Sequence, residues 1–295
     1  MPSRRSFLAG VTAASPLGLA ACLDSREDTL AGECIARCAE VGPGLVVDGE
    51  TVEASLGDPD LQIVDLRTSS SPGIPGAIRV DTTQLLAVDG AVPGLVAAPA
   101  VVEQALRSAG LRLGVPTVAY TDGGQLAAAR FLWTLGLHDD FGWRLLDGGL
   151  DLWIAEGRPL ADLEPAVGPG DWLAGGPVEA LRVDADWVLA HLDDPEVAFV
   201  DARGPTEFAE GHLPGALSVE WTRNLAEDQR LLPAAEVEAL YPSAEQARTI
   251  VTYCRTGVRA SMAWLALRWL GRVDVRVYDG SWVDWSSDPA RPIEA

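Results

Sequence analysis

One cysteine of this sequence stands in a short loop that also carries two arginines, and these residues are the ones best suited to chemistry. The loop runs from Cys254 to Arg259, with Arg255 directly after the cysteine. A β-branched stretch at 249–253 precedes it and an apolar stretch at helical spacing follows it, which predicts a strand, a loop and a helix. The sulfur would then lie at a helix N-terminus, where backbone N–H groups, the helix dipole and two guanidinium groups favour an anion. We therefore expect an accessible thiolate, the form of cysteine that attacks another sulfur atom.

Three motifs in the second half of the chain, taken in order, resemble the rhodanese (thiosulfate sulfurtransferase) family. They are Gly-His-Leu-Pro-Gly-Ala at 211–216, Tyr-Cys-Arg-Thr-Gly-Val-Arg at 253–259 and Tyr-Asp-Gly-Ser-Trp-Val-Asp-Trp at 278–285. The resemblance implies that Cys254 takes the outer sulfur of thiosulfate as a persulfide, which a thiophilic acceptor such as cyanide or a thiol then removes. An inert buried thiol, which is what most free cysteines are, is the competing interpretation.

The other residues of the loop have expected roles as ligands of the sulfur donor. Arg255 and Arg259 would hold the anionic part of the donor and the leaving sulfite. Backbone N–H groups from Thr256 to Arg259, including that of Val258, would cradle the persulfide. Gly257 would let the loop curl where a side chain would crowd it. A role as solvated surface charge is the alternative for the arginines, and it fits Arg259 better than Arg255.

An internal repeat indicates that the chain contains two copies of one domain. Residues 47–67 align without a gap on residues 183–203 at an offset of 136, and a downstream offset of 132 pairs Asp122 with Cys254. Aspartate cannot form a persulfide, so we expect the first copy to be catalytically silent. Its expected role is to pack against the second copy and to form one wall of the site cleft.

The predicted fold class is α/β, with two tandem rhodanese-like domains that each contain a parallel sheet flanked by helices. Short strands that are apolar throughout alternate with helical stretches in each copy, which suits a sheet covered on both faces. Strands are predicted at 62–66, 117–121, 198–202 and 249–253. The predicted units are a silent domain at 44–160, a linker rich in Gly, Pro and acidic residues at 161–178, and a catalytic domain at 179–295.

The N-terminus carries features of an export signal. Ser-Arg-Arg-Ser-Phe-Leu at 3–8 resembles a twin-arginine signal, and Leu-Ala-Ala-Cys at 19–22 resembles a lipoprotein box. Together they imply that residues 1–21 are removed, that Cys22 carries a lipid and that 22–43 is a tether. We expect an exported lipoprotein that faces the periplasm or the cell exterior and meets the membrane only through its anchor. An uncleaved anchor or a flexible tail is the alternative.

Composition narrows the choice of partners. The formal net charge of −21 and a pI near 4.4 argue against a nucleic-acid partner, because phosphates would be repelled over most of the surface. The expected partners are small sulfur donors and acceptors, and no cofactor or metal is expected. Cys34 and Cys38 lack enough neighbouring ligands for a metal site, and we assign them no function.

Three other functions stay open. A 3-mercaptopyruvate sulfurtransferase would use another donor, although family members of that kind tend to have Gly-Ser-Gly after the cysteine, where this chain has Arg-Thr-Gly at 255–257. A phosphatase or arsenate reductase has five residues between its cysteine and arginine, whereas four lie between Cys254 and Arg259. A sulfur carrier or sensor would be a non-catalytic binding module, which the intact nucleophile disfavours.

Several residues near the loop are expected to have structural roles, and one stands where relatives carry a substrate-binding residue. Asp201 and Arg203 are predicted to form an ion pair or a loop brace, because Asp65 and Arg67 repeat them in the silent copy. By the resemblance, animal-type sulfurtransferases carry a substrate-binding arginine near the position of Glu207, so its absence bears on donor affinity. A structural role is expected for His212, Trp282 and Trp285, with the cleft as an alternative location for Trp282.

Overall fold

The computed structural model describes residues 42–69, 72–164, 168–242 and 246–295. The predicted signal peptide, the lipidation site Cys22, both tether cysteines and all but the end of the predicted tether lie outside the described residues. Among the residues that are described, no helix is long and apolar enough to cross a membrane. In the same part of the chain, no cluster of three or more histidine, cysteine or carboxylate side chains could hold a metal ion.

The described residues form short strands and helices that alternate along the chain. The strands are β1 Val46–Val47, β2 Gln62–Asp65, β3 Ile78–Arg79, β4 Leu86–Asp89, β5 Val92–Val96, β6 Thr117–Tyr120, β7 Trp143–Leu146, β8 Arg182–Val183, β9 Val197–Asp201, β10 Leu217–Ser218, β11 Thr249–Tyr253 and β12 Val275–Tyr278. The helices are α1 Gly49–Ala54, α2 Pro99–Ala109, α3 Leu126–Leu137, α4 Gly149–Ala155, α5 Ala185–Ala190, α6 Pro205–Ala209, α7 Ala234–Ala239, α8 Ala260–Trp269 and α9 Ser281–Trp285. Single 3₁₀ turns lie at Pro43–Leu45, Thr82–Leu85, Glu179–Leu181 and Trp221–Asn224.

Each half of the chain forms one five-stranded sheet, and the two sheets have the same strand order. The order is β1-β7-β6-β2-β3 in the first half and β8-β12-β11-β9-β10 in the second. All the pairings within these sheets are parallel, and β4 and β5 form a separate antiparallel hairpin. The predicted α/β class with two parallel sheets is confirmed.

The four predicted strands lie within one residue of the observed β2, β6, β9 and β11. They were recognisable because helices cover both faces of each sheet, so the central strands carry apolar residues on both sides. In β11 every residue is buried. The shorter edge strands carry too few residues for such a pattern.

The largest apolar core lies between the two sheets and is shared by the two halves. Helices α3 and α8 pack against each other there, each with most of its side chains buried. The rings of Trp143, in the first sheet, and Trp264, in α8, are 5.8 Å apart. Two smaller cores cover the outer faces, one containing Trp153 of α4 and the other Trp285 of α9. The halves are therefore joined by a continuous buried layer.

The structural counterpart of Cys254 in the first half is Thr121, which corrects the pairing with Asp122. The registers of β6 with β2 and of β11 with β9 give an offset of 133 at the central strand. Backbone hydrogen bonds agree, because Leu150 N donates to Thr121 O at 2.9 Å and Trp282 N donates to Cys254 O at 3.0 Å. The registers of β7 and β12 restore the offset of 132. The first half thus has one extra residue between these strands, and an alignment fixed on the downstream motif slips by one.

The segment predicted as a linker, 161–178, lies against the first half over the residues that are described. Ala161 forms an antiparallel bridge with Gly73. Trp172 is fully buried, and its Nε1 donates a hydrogen bond of 2.7 Å to Asp140. The connection between the two sheets is therefore docked through specific contacts, although its described residues outside that bridge form no regular element.

Candidate active site

Cys254 directly follows β11, the central strand of the second sheet, and the loop after it leads into α8 at Ala260. The carboxyl ends of parallel strands are where open α/β sheets place their sites. The residue is 1% exposed, although the sequence had led us to expect an accessible sulfur. It is buried because the loop curls over the strand end and Cys254 joins the apolar core between the sheets. Any molecule that reacts with the sulfur must therefore enter the loop.

The backbone of Cys254 is fixed from both sides by the motif at 278–285. Its N–H donates to Ser281 Oγ at 3.2 Å, and its carbonyl accepts from Trp282 N at 3.0 Å. The Ser281 hydroxyl in turn donates to Tyr278 O at 2.7 Å. Ser281 has a φ of +53°, a left-handed conformation uncommon for residues other than glycine. The second and third motifs of the sequence thus form one unit.

Gly257 lies where the loop turns back against the same motif. Its φ is +83°, and a Cβ added there would lie 2.7 Å from Asp279 O and 2.9 Å from Asp279 Oδ1. Both the backbone conformation and the space exclude a side chain. The structure therefore supports the expectation that glycine lets the loop curl, and it identifies Asp279 as the neighbour.

Arg259 forms an ion pair with Glu207 through two hydrogen bonds, from Nη1 at 2.6 Å and from Nη2 at 2.8 Å. Hydrogen bonding to Glu207 is the main reason why the pKa of Arg259 is raised, and the neighbouring Cys254 raises it further. Hydrogen bonding from Arg259 likewise lowers the pKa of Glu207. Arg259 thus lies beside the sulfur, but a carboxylate already neutralises it.

Arg255 is the arginine of the loop that projects into solvent. Among the described residues, none forms a hydrogen bond or an ion pair with its guanidinium group. Thr256 and Val258 are half-buried, and Thr256 lies against Gly94 of the first half, where an added Cβ would be 2.9 Å from Thr256 O. The structure brings all the predicted loop residues together, and it leaves Arg255 as the available cation.

The predicted brace at the end of β9 is present and repeated in the first half. Arg203 Nη2 lies 2.6 Å from Asp201 Oδ2, and Arg67 Nη2 lies 2.8 Å from Asp65 Oδ2, with all four side chains buried. Arg203 also donates to Gly211 O at 2.6 Å and so holds the first motif against the strand. Because both halves contain the pair, it serves the fold of each domain.

The histidine and tryptophans of the motifs make structural contacts. His212 stacks on Phe208 at 3.7 Å, and its Nδ1 is 3.0 Å from Phe208 O. Trp285 is fully buried in the outer core. Trp282 is half-buried, and the Arg203 guanidinium lies 4.4 Å from the centre of its ring.

Sequence reasoning missed a buried ion pair that joins the two halves at this loop. Arg130 of α3 donates from Nη2 to Asp279 Oδ1 at 2.6 Å, and both side chains are at most 5% exposed. The signal available in the sequence was a lone arginine inside the apolar run 126–137. Nothing in the sequence showed which residue it meets.

The first half also contributes to a small cavity beside the loop. This cavity has a volume of about 210 Å³ and lies between the halves. Leu85, Leu126 and Phe131 line it from the first half, and Val258 lines it from the second. The Cys254 loop is therefore bordered by the half of the chain that carries no cysteine at the equivalent position.

Comparisons with known proteins agree with these features. Residues 184–288 match the family described as Rhodanese-like domain. The chain is 32% identical over 272 residues to a thiosulfate sulfurtransferase of Azotobacter vinelandii, covering 85% of this chain and 97% of the relative. It is 34% identical over 278 residues to a probable 3-mercaptopyruvate sulfurtransferase of Pseudomonas aeruginosa, covering 84% and 97%. The structure of the 3-mercaptopyruvate sulfotransferase SseA from Escherichia coli superposes with a TM-score of 0.73 at 27% identity, covering 81% of this chain and 98% of that one.

Proposed function

The chain belongs to the rhodanese family of sulfurtransferases, and on that premise we propose that it moves the outer sulfur of thiosulfate to a thiophilic acceptor through a persulfide on Cys254. The observation that carries the proposal is the position of this residue. It directly follows a central strand, precedes the N-terminus of a ten-residue helix and lies beside the guanidinium of Arg259. Both the helix and the arginine favour a negative charge on the sulfur.

The first half-reaction forms the persulfide. The Cys254 thiolate attacks the outer sulfur of thiosulfate, a new S–S bond forms at Sγ, and the S–S bond of the donor breaks. Its electron pair leaves with sulfite. Backbone N–H groups at the start of α8 offer hydrogen bonds to the new terminal sulfur. No proton has to move, so no partner base is required.

The second half-reaction restores the thiolate. The carbon of cyanide, or the sulfur of a thiolate, attacks the outer persulfide sulfur, and the bond to Sγ breaks with its electron pair returned to Cys254. The products are thiocyanate or a new persulfide. Because the sulfur atom passes from donor to acceptor in two displacements, the sum of the two steps balances without an external oxidant or reductant.

Arg255 is the residue we assign to the anionic end of the donor. Its guanidinium is exposed and has no partner among the described residues, whereas Arg259 is already paired with Glu207. An exposed guanidinium can form two parallel hydrogen bonds to an oxyanion. Arg259 then acts on the sulfur through its charge while Glu207 holds it in place. The sequence favoured the same order, since a role as surface charge fitted Arg259 better than Arg255.

A 3-mercaptopyruvate sulfurtransferase is the second candidate. Two of the similar proteins described above carry that activity in their names. The Arg-Thr-Gly sequence at 255–257 favours thiosulfate, because it adds a cation where relatives that use mercaptopyruvate tend to have glycine and serine. A non-catalytic sulfur carrier is the third candidate, and it would form the persulfide without rapid turnover.

Steady-state kinetics separate these candidates. The purified protein is assayed with thiosulfate and with 3-mercaptopyruvate, using cyanide as the acceptor in both cases, and Cys254→Ser is the control. The proposal requires a higher kcat/KM for thiosulfate. A higher value for mercaptopyruvate would select the second candidate. A persulfide that forms without turnover with either donor would select the carrier.

We also propose that the protein is exported and anchored by a lipid on Cys22. The support is the coincidence of the two signal-like motifs at 3–8 and 19–22. Labelling of the producing cells with radioactive palmitate should mark the protein, and Cys22→Ser should remove the label. An unlabelled parent protein that keeps residues 1–21 would contradict the proposal.

A further inference from the structure

One charged side chain of the first half, Arg130, reaches the segment that holds the Cys254 loop. Its Nη2 donates to Asp279 Oδ1 at 2.6 Å and to the carbonyl of Gly94 at 2.8 Å. The other carboxylate oxygen, Asp279 Oδ2, accepts from Val96 N at 3.0 Å. Asp279 is thus held from two directions, by α3 and by the β4–β5 hairpin, and both belong to the first half.

Asp279 belongs to the segment that holds Cys254. The backbone oxygen of Asp279 packs against Gly257, leaving no room for a Cβ. Two residues further on, Ser281 Oγ accepts from Cys254 N. A displacement of Asp279 would therefore be transmitted to both ends of the curled part of the loop.

The pseudo-equivalent aspartate in the silent half is held differently. Asp147 occupies the position of Asp279 in the repeat, and it accepts a hydrogen bond of 2.9 Å from Leu231 N, as Asp279 does from Val96 N. No described arginine forms an ion pair with Asp147. Each aspartate thus accepts a backbone hydrogen bond from the opposite half of the chain. Among the described residues, an arginine pairs with Asp279, in the half that contains Cys254, and none pairs with Asp147.

The burial of Arg130 is costly for the fold. The side chain is 4% exposed, and its Nε and Nη1 find no hydrogen-bond partner among the described residues. Its guanidinium lies 4.4 Å from the centre of the Trp133 ring, which offsets part of the desolvation. Replacing a buried ion pair by apolar side chains is often neutral or stabilising. Domain docking alone therefore does not explain why a charge stands here.

We propose that Arg130 is a positioning residue for the sulfur transfer, through which the silent domain sets the geometry of the Cys254 loop by fixing Asp279. The inference rests on the proposed function of Cys254. In this proposal the first domain acts on the chemistry of the second through the ion pair between Arg130 and Asp279.

The test compares Arg130→Met with the parent protein in two assays. One is the rate constant for persulfide formation on Cys254 at saturating thiosulfate, and the other is the pH profile of Cys254 alkylation by iodoacetamide. We expect the rate constant to fall at least about tenfold, because displacements of about 1 Å cost as much or more. We also expect the midpoint of the alkylation profile to shift, which a purely structural role would not cause.

Matched variants complete the design. Asp279→Asn should reproduce the loss, and the double variant should lose little more than either single one, because both act through one contact. Asp147→Asn in the silent half should keep the parent rate. Thermal unfolding is recorded for each variant, and Arg130→Gln, which keeps one donor, is used if Arg130→Met does not fold.

The outcomes are distinguishable from those of the proposed function. If the parent protein forms no persulfide, the function of Cys254 fails. If the parent reacts and a folded Arg130 variant reacts equally fast with the same alkylation profile, the positioning role is overturned. An equal loss in Asp147→Asn would also overturn it, since the effect would then belong to domain docking in general.

Discussion

Glu207 and Arg259 face each other beside Cys254 through two parallel hydrogen bonds, 2.6 and 2.8 Å long. The carboxylate occupies the guanidinium that would otherwise be free to hold an anionic donor. Both side chains remain partly exposed, at 34% for Glu207 and 24% for Arg259. The pair is therefore within reach of substrate, and its charge balance should influence which donors bind.

Removing the charge of Glu207 should improve the binding of thiosulfate. Glu207→Gln keeps the size of the side chain and leaves Arg259 with an uncompensated charge. We expect KM for thiosulfate to fall about tenfold, equivalent to about 1.4 kcal/mol, because one charged hydrogen-bond donor becomes available. Steady-state kinetics at low ionic strength measure the change.

The control for this variant is Glu210→Gln. Glu210 is exposed and directly follows α6, the short helix that contains Glu207. The substitution therefore changes the net charge equally without touching Arg259. A similar fall in KM in both variants would show that the overall charge matters and that the pair does not. An unchanged or raised KM in Glu207→Gln would remove the assigned role.

A side chain at Gly257 should disable the loop. Gly257→Ala forces a left-handed conformation on alanine, at roughly 1–2 kcal/mol, and also places Cβ against Asp279 O. We expect activity to fall by more than about tenfold, because the loop must shift to relieve the contact. Initial rates and urea unfolding measure the two effects separately.

Gly271→Ala provides the comparison for Gly257→Ala. Gly271 has a φ of +94°, follows the catalytic helix and has open space around it. Its substitution should lower the unfolding free energy by a similar amount while activity is kept. Retained activity in Gly257→Ala would show that the close approach to Asp279 is not needed for catalysis.

A cysteine placed in the silent half should not become a second site. Thr121→Cys puts the thiol at the true counterpart of position 254, where four residues instead of five lead to the following helix and Gln125 lies near the turn. Neither arginine of the catalytic loop has a counterpart there. In a Cys254→Ser background we expect no sulfur to be gained at residue 121 after thiosulfate treatment. A stable persulfide at that position would show that loop length and arginines are dispensable.

Sequence patterns located the strand, loop and helix around Cys254 because these elements are local in the chain. The strand, the loop and the helix around Cys254 are contiguous, so hydrophobic periodicity and one glycine were enough to locate them. The central strands were predictable for a related reason, since burial on both faces leaves an unbroken apolar run. The edge strands carry no such signal.

The ion pairs around the Cys254 loop were not predictable from the sequence. Glu207 and Arg259 are 52 residues apart in the chain, and Arg130 and Asp279 are 149 apart. No sequence periodicity links residues so far apart, so each of these side chains, taken alone, resembles an ordinary surface or core residue. The one-residue slip between Asp122 and Thr121 has a similar origin, because only the strand registers show where the extra residue lies.

The ion pair between Asp65 and Arg67 in the first half should make the stability of the fold depend on pH in the acid range. Burial tends to raise the pKa of Asp65, but hydrogen bonds from Arg67 and Arg79 outweigh it and hold the pKa below its ordinary value. A carboxyl with a lowered pKa stabilises the fold above its unfolded pKa of about 3.9, and this contribution is lost as pH falls through the folded value.

Asp65→Asn tests this dependence. At pH 7 the variant should be less stable than the parent by about 3–5 kcal/mol, because the buried Arg67 guanidinium loses the negative charge of Asp65. The difference should stay constant down to about pH 4 and then narrow. Urea unfolding from pH 7 to pH 3 measures it. A gap that widens in acid would contradict the assignment.

Cys254 is proposed to be the nucleophile that accepts the outer sulfur of thiosulfate. Intact-protein mass spectrometry after brief exposure to thiosulfate tests this most directly. The account predicts that the parent protein gains one sulfur atom, that peptide mapping places it on Cys254, and that cyanide removes it with release of thiocyanate. Cys254→Ser should gain none. A parent protein that turns over thiosulfate without any sulfur on Cys254, or a serine variant that retains the parent rate, would contradict the account.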